Sequence, residues 1–130
     1  MDSSLIVLIL IVAGLLGLLA LVAKLARPKM NKAHFQKKWD DLTAMNNLTL
    51  AVIKADSLLD EALRHAGMRG ETMGERLNNS AGFVSDINGT WSAHKLRNRL
   101  VHETDVKAKD SECERALRKF KKALKDLGAL

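Results

Sequence analysis

Hydrophobic and polar positions divide the chain into two unlike parts. From Leu5 to Ala23 there are 19 consecutive residues with no charged or polar side chain, interrupted only by Gly14 and Gly17. A helix that is apolar on every side belongs in hydrocarbon, and at about 1.5 Å per residue this run spans roughly 28 Å, close to the ~30 Å core of a bilayer. A cleaved signal peptide has a basic leader, a shorter apolar stretch and a small-x-small cleavage site. Here the leader Met1-Asp2-Ser3-Ser4 has no basic side chain, and Leu21-Val22-Ala23 is a poor cleavage site. The expectation is one transmembrane helix over residues 5–23.

The rest of the chain shows the periodicity of amphipathic helices. Phe35, Trp39, Leu42, Met45, Leu48, Val52, Ala55, Leu59, Ala62 and Ala66 recur three or four apart, which predicts one long helix over about 32–66, closed by Gly67. Thr72 and Glu75 have capping-box spacing and open a short helix to about Asn79. Ser80 to Gly89 is rich in Gly, Ser, Asn and Asp and reads as a loop, followed by a third helix over about 90–103 with Trp91, Leu96 and Leu100. After a polar linker, Ser111 with Glu114 predicts another capping box, and Cys113, Leu117, Phe120, Leu124 and Leu127 form the stripe of a last helix.

No strand-like alternation occurs, so the fold class is all-α, a transmembrane helix followed by a four-helix bundle. The domains are a short extracytoplasmic leader (1–4), the span (5–23), a basic juxtamembrane linker (24–31) in which Pro28 separates anchor from bundle, and the helical domain (32–130). A stripe as long as that of the first predicted helix also suits coverage by a second copy of the chain, which predicts a homodimer. Ala13 and Gly17 are a small-xxx-small pair that lets two anchors approach closely.

Charge then fixes the expected orientation. Asp2 is the only charged side chain before the span, whereas Lys24, Arg27, Lys29, Lys32, Lys37 and Lys38 follow it with no acid among them. Basic segments stay on the cytoplasmic side, so a single-pass protein of the cell membrane with its N-terminus outside and its helical domain in the cytoplasm is expected. The lone Cys113 agrees with a reducing compartment and reads as packing. Of the formal charge of +6, most lies in residues 24–38, which hold six basic and no acidic side chains: residues 39–130 hold 15 basic and 14 acidic side chains, a net of +1. The bilayer and its anionic headgroups account for the basicity, and net charge is thereby a weak argument for nucleic acid.

The densest polar cluster runs from Trp91 to Glu103. His94, Asn98 and His102 are spaced i, i+4, i+8 and lie nearly in line, with Arg97 bordering them and Lys95 and Arg99 beside. Guanidinium and imidazole on one helix face suit phosphate binding and proton transfer near neutral pH. Arg97-Asn98-Arg99-Leu100-Val101-His102 resembles the Arg, polar residue, spacer, His motif of the HEPN superfamily, whose motif sits on a late helix of a small helical bundle. The resemblance implies a metal-independent endoribonuclease that assembles its site from two motifs across a homodimer, often a toxin or defence effector. It implies RNA as substrate, no metal and no cofactor, and it leaves an antitoxin-like or other protein partner unspecified.

Carried onto this sequence, the catalytic residues are Arg97, Asn98 and His102: His102 as base for a ribose 2′-hydroxyl or acid for the leaving oxygen, Arg97 against the phosphorane charge, Asn98 orienting substrate or His102. His94, Lys95 and Arg99 are the expected substrate contacts, His94 on this sequence's own pattern. A branch of the family continues His-x-Tyr with a modified Tyr, but Thr104 stands here and the chain has no Tyr. The alternative is a catalytically silent helical interaction module that tethers a partner or nucleotide at the membrane, with Arg97 paired to Glu103 or Asp86 at a dimer interface. Trp39 and Trp91 read as core or interface residues, the basic face of the last helix as solvated, and Asp56 and Asp60, i and i+4, as a solvated face. Gly-rich phosphate loops, zinc-type Cys/His spacing and G-x-S-x-G are absent.

Overall fold

A computed structural model describes residues 2–26 and 29–130, so Pro28, expected to separate anchor from bundle, and Arg27, one of the basic residues behind the expected orientation, lie outside the described residues. Six helices and no strand are present among the described residues: α1 Ser3–Leu25, α2 Lys32–Thr43, α3 Leu48–His65, α4 Met73–Asn79, α5 Ile87–His102 and α6 Asp110–Asp126. The fold is all-helical, with one long apolar N-terminal helix. α1 extends the predicted span by two residues at each end, has a mean hydropathy of 3.3 in its most apolar window and buries none of its residues. It is long and apolar enough to cross a membrane, a property that signal sequences share.

The long first helix of the bundle is in fact two. α2 ends at Ala44, and Asn47 starts α3 by accepting the Leu50 N–H at 2.9 Å through its side chain. Asparagine competes locally for backbone donors, so Asn46-Asn47 interrupts a helix even where the apolar stripe runs on. The two halves fold back on each other: His34 Nε2 meets Glu61 at 2.6 Å, Lys38 donates to Glu61 at 2.7 Å, and the Phe35 ring stands edge-on to His65. The hairpin therefore covers its own stripe, and the long-stripe reason for expecting a dimer falls away. Among the described residues, five helices rather than four follow α1.

α3 is the hub, packed against α2, α4, α5 and α6. Val52, Ala55, Leu59, Ala62 and Leu63 are fully buried there together with Phe35, Leu77, Phe120 and Leu124. α3 closes after Ala66, where Met68 N–H returns to Leu63 C=O at 3.0 Å and Gly67 N–H to Arg64 C=O, so Gly67 terminates the helix as predicted. Thr72 caps α4 through the Glu75 N–H, but the Glu75 carboxylate accepts from Glu71 rather than closing the box on Thr72.

α5 starts three residues earlier than predicted because Asp86 caps it. Its carboxylate accepts the Gly89 N–H at 3.0 Å, and a Cβ on Gly89 would lie 2.4 Å from that carboxylate. The glycine read as loop material is what admits the cap. Lys119 of α6 also donates to Asp86, and this hydrogen bond, with the one from Gly89, holds the Asp86 carboxyl below its ordinary range. α6 begins one residue before the predicted Ser111 cap, with the Glu112 carboxylate accepting the Lys109 N–H at 2.9 Å. Cys113 is buried, and desolvation pushes its thiol up, in keeping with a packing role.

α5 and α6 run antiparallel, since Asp86 pairs with Lys119 while Arg99 shares a groove with Glu112 and Arg115. Gly128, past the end of α6, lines a hollow with Lys29 to Lys32. Residues 29–32, which lead into α2, thus lie at the α6 C-terminal end of the bundle. The C-terminal turn of α5 lies at the opposite end.

Candidate functional site

The polar residues of α5 meet a carboxylate that sequence reading had assigned to solvent. Asp56 of α3 is 2 % exposed, inside the apolar set of Val52, Ala55 and Leu59. His94 Nδ1 lies 2.7 Å from Asp56 Oδ1, and Arg97 Nε lies 3.4 Å from Oδ2. Arg97 Nη1 donates to Asn98 Oδ1 at 3.0 Å, and Asn98 Nδ2 faces His94 Nε2 at 3.3 Å. Asp56, His94, Asn98 and Arg97 therefore form a closed ring of side chains.

Hydrogen-bond directions around this ring follow from the one group whose role is fixed. A guanidinium only donates, so the Asn98 atom it meets is the carbonyl oxygen, and the amide nitrogen turns to His94. An amide nitrogen also donates, so His94 Nε2 accepts and its N–H is on Nδ1, aimed at Asp56. The pair is held further by Trp91, whose ring stands edge-on to His94 with centroids 5.6 Å apart. Trp91 in turn packs over Gly74, where a Cβ would lie 3.2 Å from the indole.

The predicted site residues sort into three places. Arg97 and Asn98 are brought together, each partly exposed, with Arg97 keeping 27 % of its side chain accessible. His94, expected to touch substrate, is 7 % exposed with both ring nitrogens taken within the protein. His102 is exposed on the last turn of α5, one turn beyond Asn98, beside Val101, which is 46 % exposed. Lys95 and Arg99 are exposed on the α6 side of the helix and line a groove there. The carboxylate partner of Arg97 is Asp56, whereas Asp86 serves Gly89 and Lys119.

Asp56 is the residue that sequence reading missed, although a signal was available. It stands four residues after Val52 and three before Leu59, within the buried stripe rather than opposite it. An aspartate in that register requires a buried partner. Asp60, one turn on, is likewise not solvated: it receives Arg76 Nε at 2.7 Å and Nη2 at 3.0 Å. Arg76 Nη1 also donates to Gly70 C=O at 2.6 Å.

Chemically, the ring presents a guanidinium whose orientation is set from behind. A phosphate arriving at Arg97 would meet a donor already held by Asp56 and Asn98, so little side-chain entropy remains to be lost on binding. Comparison of the chain with family models, curated proteins and solved structures gives no match to any of them.

Proposed function

We propose that this is a membrane-anchored, HEPN-like helical domain that binds and cleaves single-stranded RNA as a homodimer, without a metal. The observation that carries the reading is the Arg97 guanidinium, fixed by Asp56 and Asn98 and still 27 % accessible, with the exposed His102 five residues further along the same helix. His102 takes the proton of a ribose 2′-hydroxyl, and the freed oxygen attacks the adjacent phosphorus. A 2′,3′-cyclic phosphate forms as the 5′-oxygen leaves with a proton from His102 of the second copy. Arg97 stabilises the charge that develops on the non-bridging oxygens. His94 and Asp56 are positioning residues that act through Asn98 and Arg97.

α1 serves as the anchor, with the domain in the cytoplasm. Only six residues separate α1 from α2, which keeps the bundle near the bilayer. Two copies confined to one membrane meet at high effective concentration, which suits a site needing a motif from each. An intact mass that retains residues 1–25, with the domain protected from external protease in sealed cells, is the expected result. Loss of that segment would identify a cleaved leader instead.

The test of activity uses the full chain in phosphatidylcholine nanodiscs, incubated with labelled single-stranded RNA and a chelator. The wild type should cleave, Arg97→Ala should fall about 10²–10³-fold, and His102→Ala about 10²–10⁴-fold. Cleavage that persists in His102→Ala removes that residue as catalyst. The near-neutral charge of residues 39–130, 15 basic against 14 acidic side chains, favours a second reading, in which the domain is a catalytically silent interaction module holding a partner or nucleotide at the membrane. Absence of cleavage by the wild type would select it.

A further inference from the structure

Between α5 and α6 lies an open groove of about 500 Å³ with no part in the ring of Asp56, His94, Asn98 and Arg97. Lys95 and Arg99 stand along its α5 side, Arg115 and Lys119 along its α6 side, and small residues including Ala93 and Ala116 form the floor. Within each pair the residues are four apart, so each helix offers two cations about 6 Å apart along its axis. The arrangement is a double rail of positive charge over a shallow apolar bed.

Internal neutralisation of these charges is incomplete. Lys119 is paired with Asp86, and the groove's one carboxylate, Glu112, accepts the Lys109 N–H. Among the described residues, Lys95, Arg99 and Arg115 have no carboxylate partner. Glu112 keeps its charge while accepting that N–H, so Lys95, Arg99 and Arg115 stand against one carboxylate and the groove keeps a positive excess that an incoming anion would offset. Elsewhere among the described residues Lys38 is neutralised by Glu61 and Arg76 by Asp60, while Lys54, Arg69 and Arg118 also stand without a carboxylate partner; what sets the groove apart is that three such cations line one cleft.

We infer that the α5–α6 groove holds the phosphate backbone of single-stranded RNA and leads it to the α5 C-terminal turn, an inference that rests on the nuclease reading above. Arg99 is three residues before His102, so a strand leaving the groove passes directly over that turn. A duplex is too wide to settle between two helices whose axes are about 8–10 Å apart. A lipid headgroup layer is flat and does not enter a cleft between helices. The groove also runs toward the end of the bundle opposite residues 29–32.

The experiment measures fluorescence anisotropy of a labelled, 2′-O-methylated 12-nucleotide RNA, which binds but is not cleaved. The full chain is used in phosphatidylcholine nanodiscs at several salt concentrations. Arg99→Ala/Arg115→Ala should weaken binding at least 10-fold and lower the slope of log Kd against log salt by about 1.4, two contacts at ~0.7 each. Lys37→Ala, on the outer face of α2, should change neither. Both groove residues are exposed, so their unfolding midpoint should match the wild type. An unchanged Kd and slope in the double variant overturns the inference, and if His102→Ala still abolishes cleavage of unmodified RNA the nuclease reading survives it. Groove-dependent binding without cleavage does the reverse. Adhesion to phosphatidylserine vesicles that needs Arg99 and Arg115, with no RNA binding, would overturn it in favour of a membrane contact.

Discussion

Two aspartates one turn apart on α3 each hold an arginine from another part of the chain, and the two pairs differ in kind. At Asp60 all three guanidinium nitrogens of Arg76 are engaged: two bonds to the carboxylate, a third to Gly70 C=O, and 10 % of the side chain exposed. The hydrogen bond to Asp60 raises Arg76 above its ordinary range. At Asp56 the guanidinium of Arg97 comes no closer than 3.4 Å to the carboxylate, its buried Nε makes no hydrogen bond, and nearly three times as much of the side chain is accessible. The carboxylate's short contact goes to His94 instead. One pair is a staple between α3 and α4, while the other leaves donors of a fixed guanidinium unspent at the surface. The same two residue types serve structure in one place and presentation in the other, according to what else shares the carboxylate.

The largest effect should come from the shared carboxylate. Asp56→Ala strands His94 and Arg97 together and is expected to destabilise the domain by about 3–5 kcal/mol. Urea unfolding of the full chain can read this through Trp39 and Trp91, the only tryptophans, both outside α1. Arg76→Ala should lower stability by roughly 3 kcal/mol in the same assay, whereas Arg97→Ala, which leaves Asp56 bound to His94, should lower it by only about 1 kcal/mol. Equal losses from the two arginine variants would erase the distinction between staple and presented group.

The smallest effect sharpens the contrast with surface carboxylates that anchor the α5 entrance. Burial pushes Asp126 up, but hydrogen bonds from the Ser85 hydroxyl and N–H, with the charge of Lys122, outweigh it and hold the group below its ordinary 3.8. A carboxyl whose folded pKa is depressed contributes fully above its unfolded value and loses that contribution as pH falls through the folded one. Thermal melts from pH 7 to pH 2 should therefore show stability draining away below about pH 4. Asp126→Asn should be less stable than wild type at pH 7, by about 1 kcal/mol, and equal to it at the acid end. A constant gap across that range would assign the difference to packing rather than ionisation.

Much of the bundle was legible in the residues themselves. The α6 stripe of Cys113, Phe120 and Leu124 is buried, as its spacing requires, and α4 follows Thr72. Gly67 ends α3 where a helix-stopping residue stood in the pattern. The break at Asn46-Asn47 was written in the sequence too, but an apolar stripe that continues in phase through a turn conceals it. Asp86 as a cap was hidden for a different reason, since a loop-like run of Ser, Gly, Asn and Asp gives several candidate starts, and only the contact with Lys119 selects one.

For the site, the sequence alone determined that Arg97, Asn98 and His102 share one late helix and that α1 is apolar on every side. Both follow from local period and composition, which chain geometry converts into faces without knowledge of any neighbour. What only the tertiary structure decided is which groups those faces meet. Asp56 lies 38 residues from its histidine, and nothing local ties the two until α3 and α5 pack. That packing takes His94 out of solvent and fixes Asn98 and Arg97 from behind. It also carries Lys95 and Arg99 round to the α6 side. The partner of a buried charge is a long-range fact, because in the unfolded chain water can serve every charged group equally well.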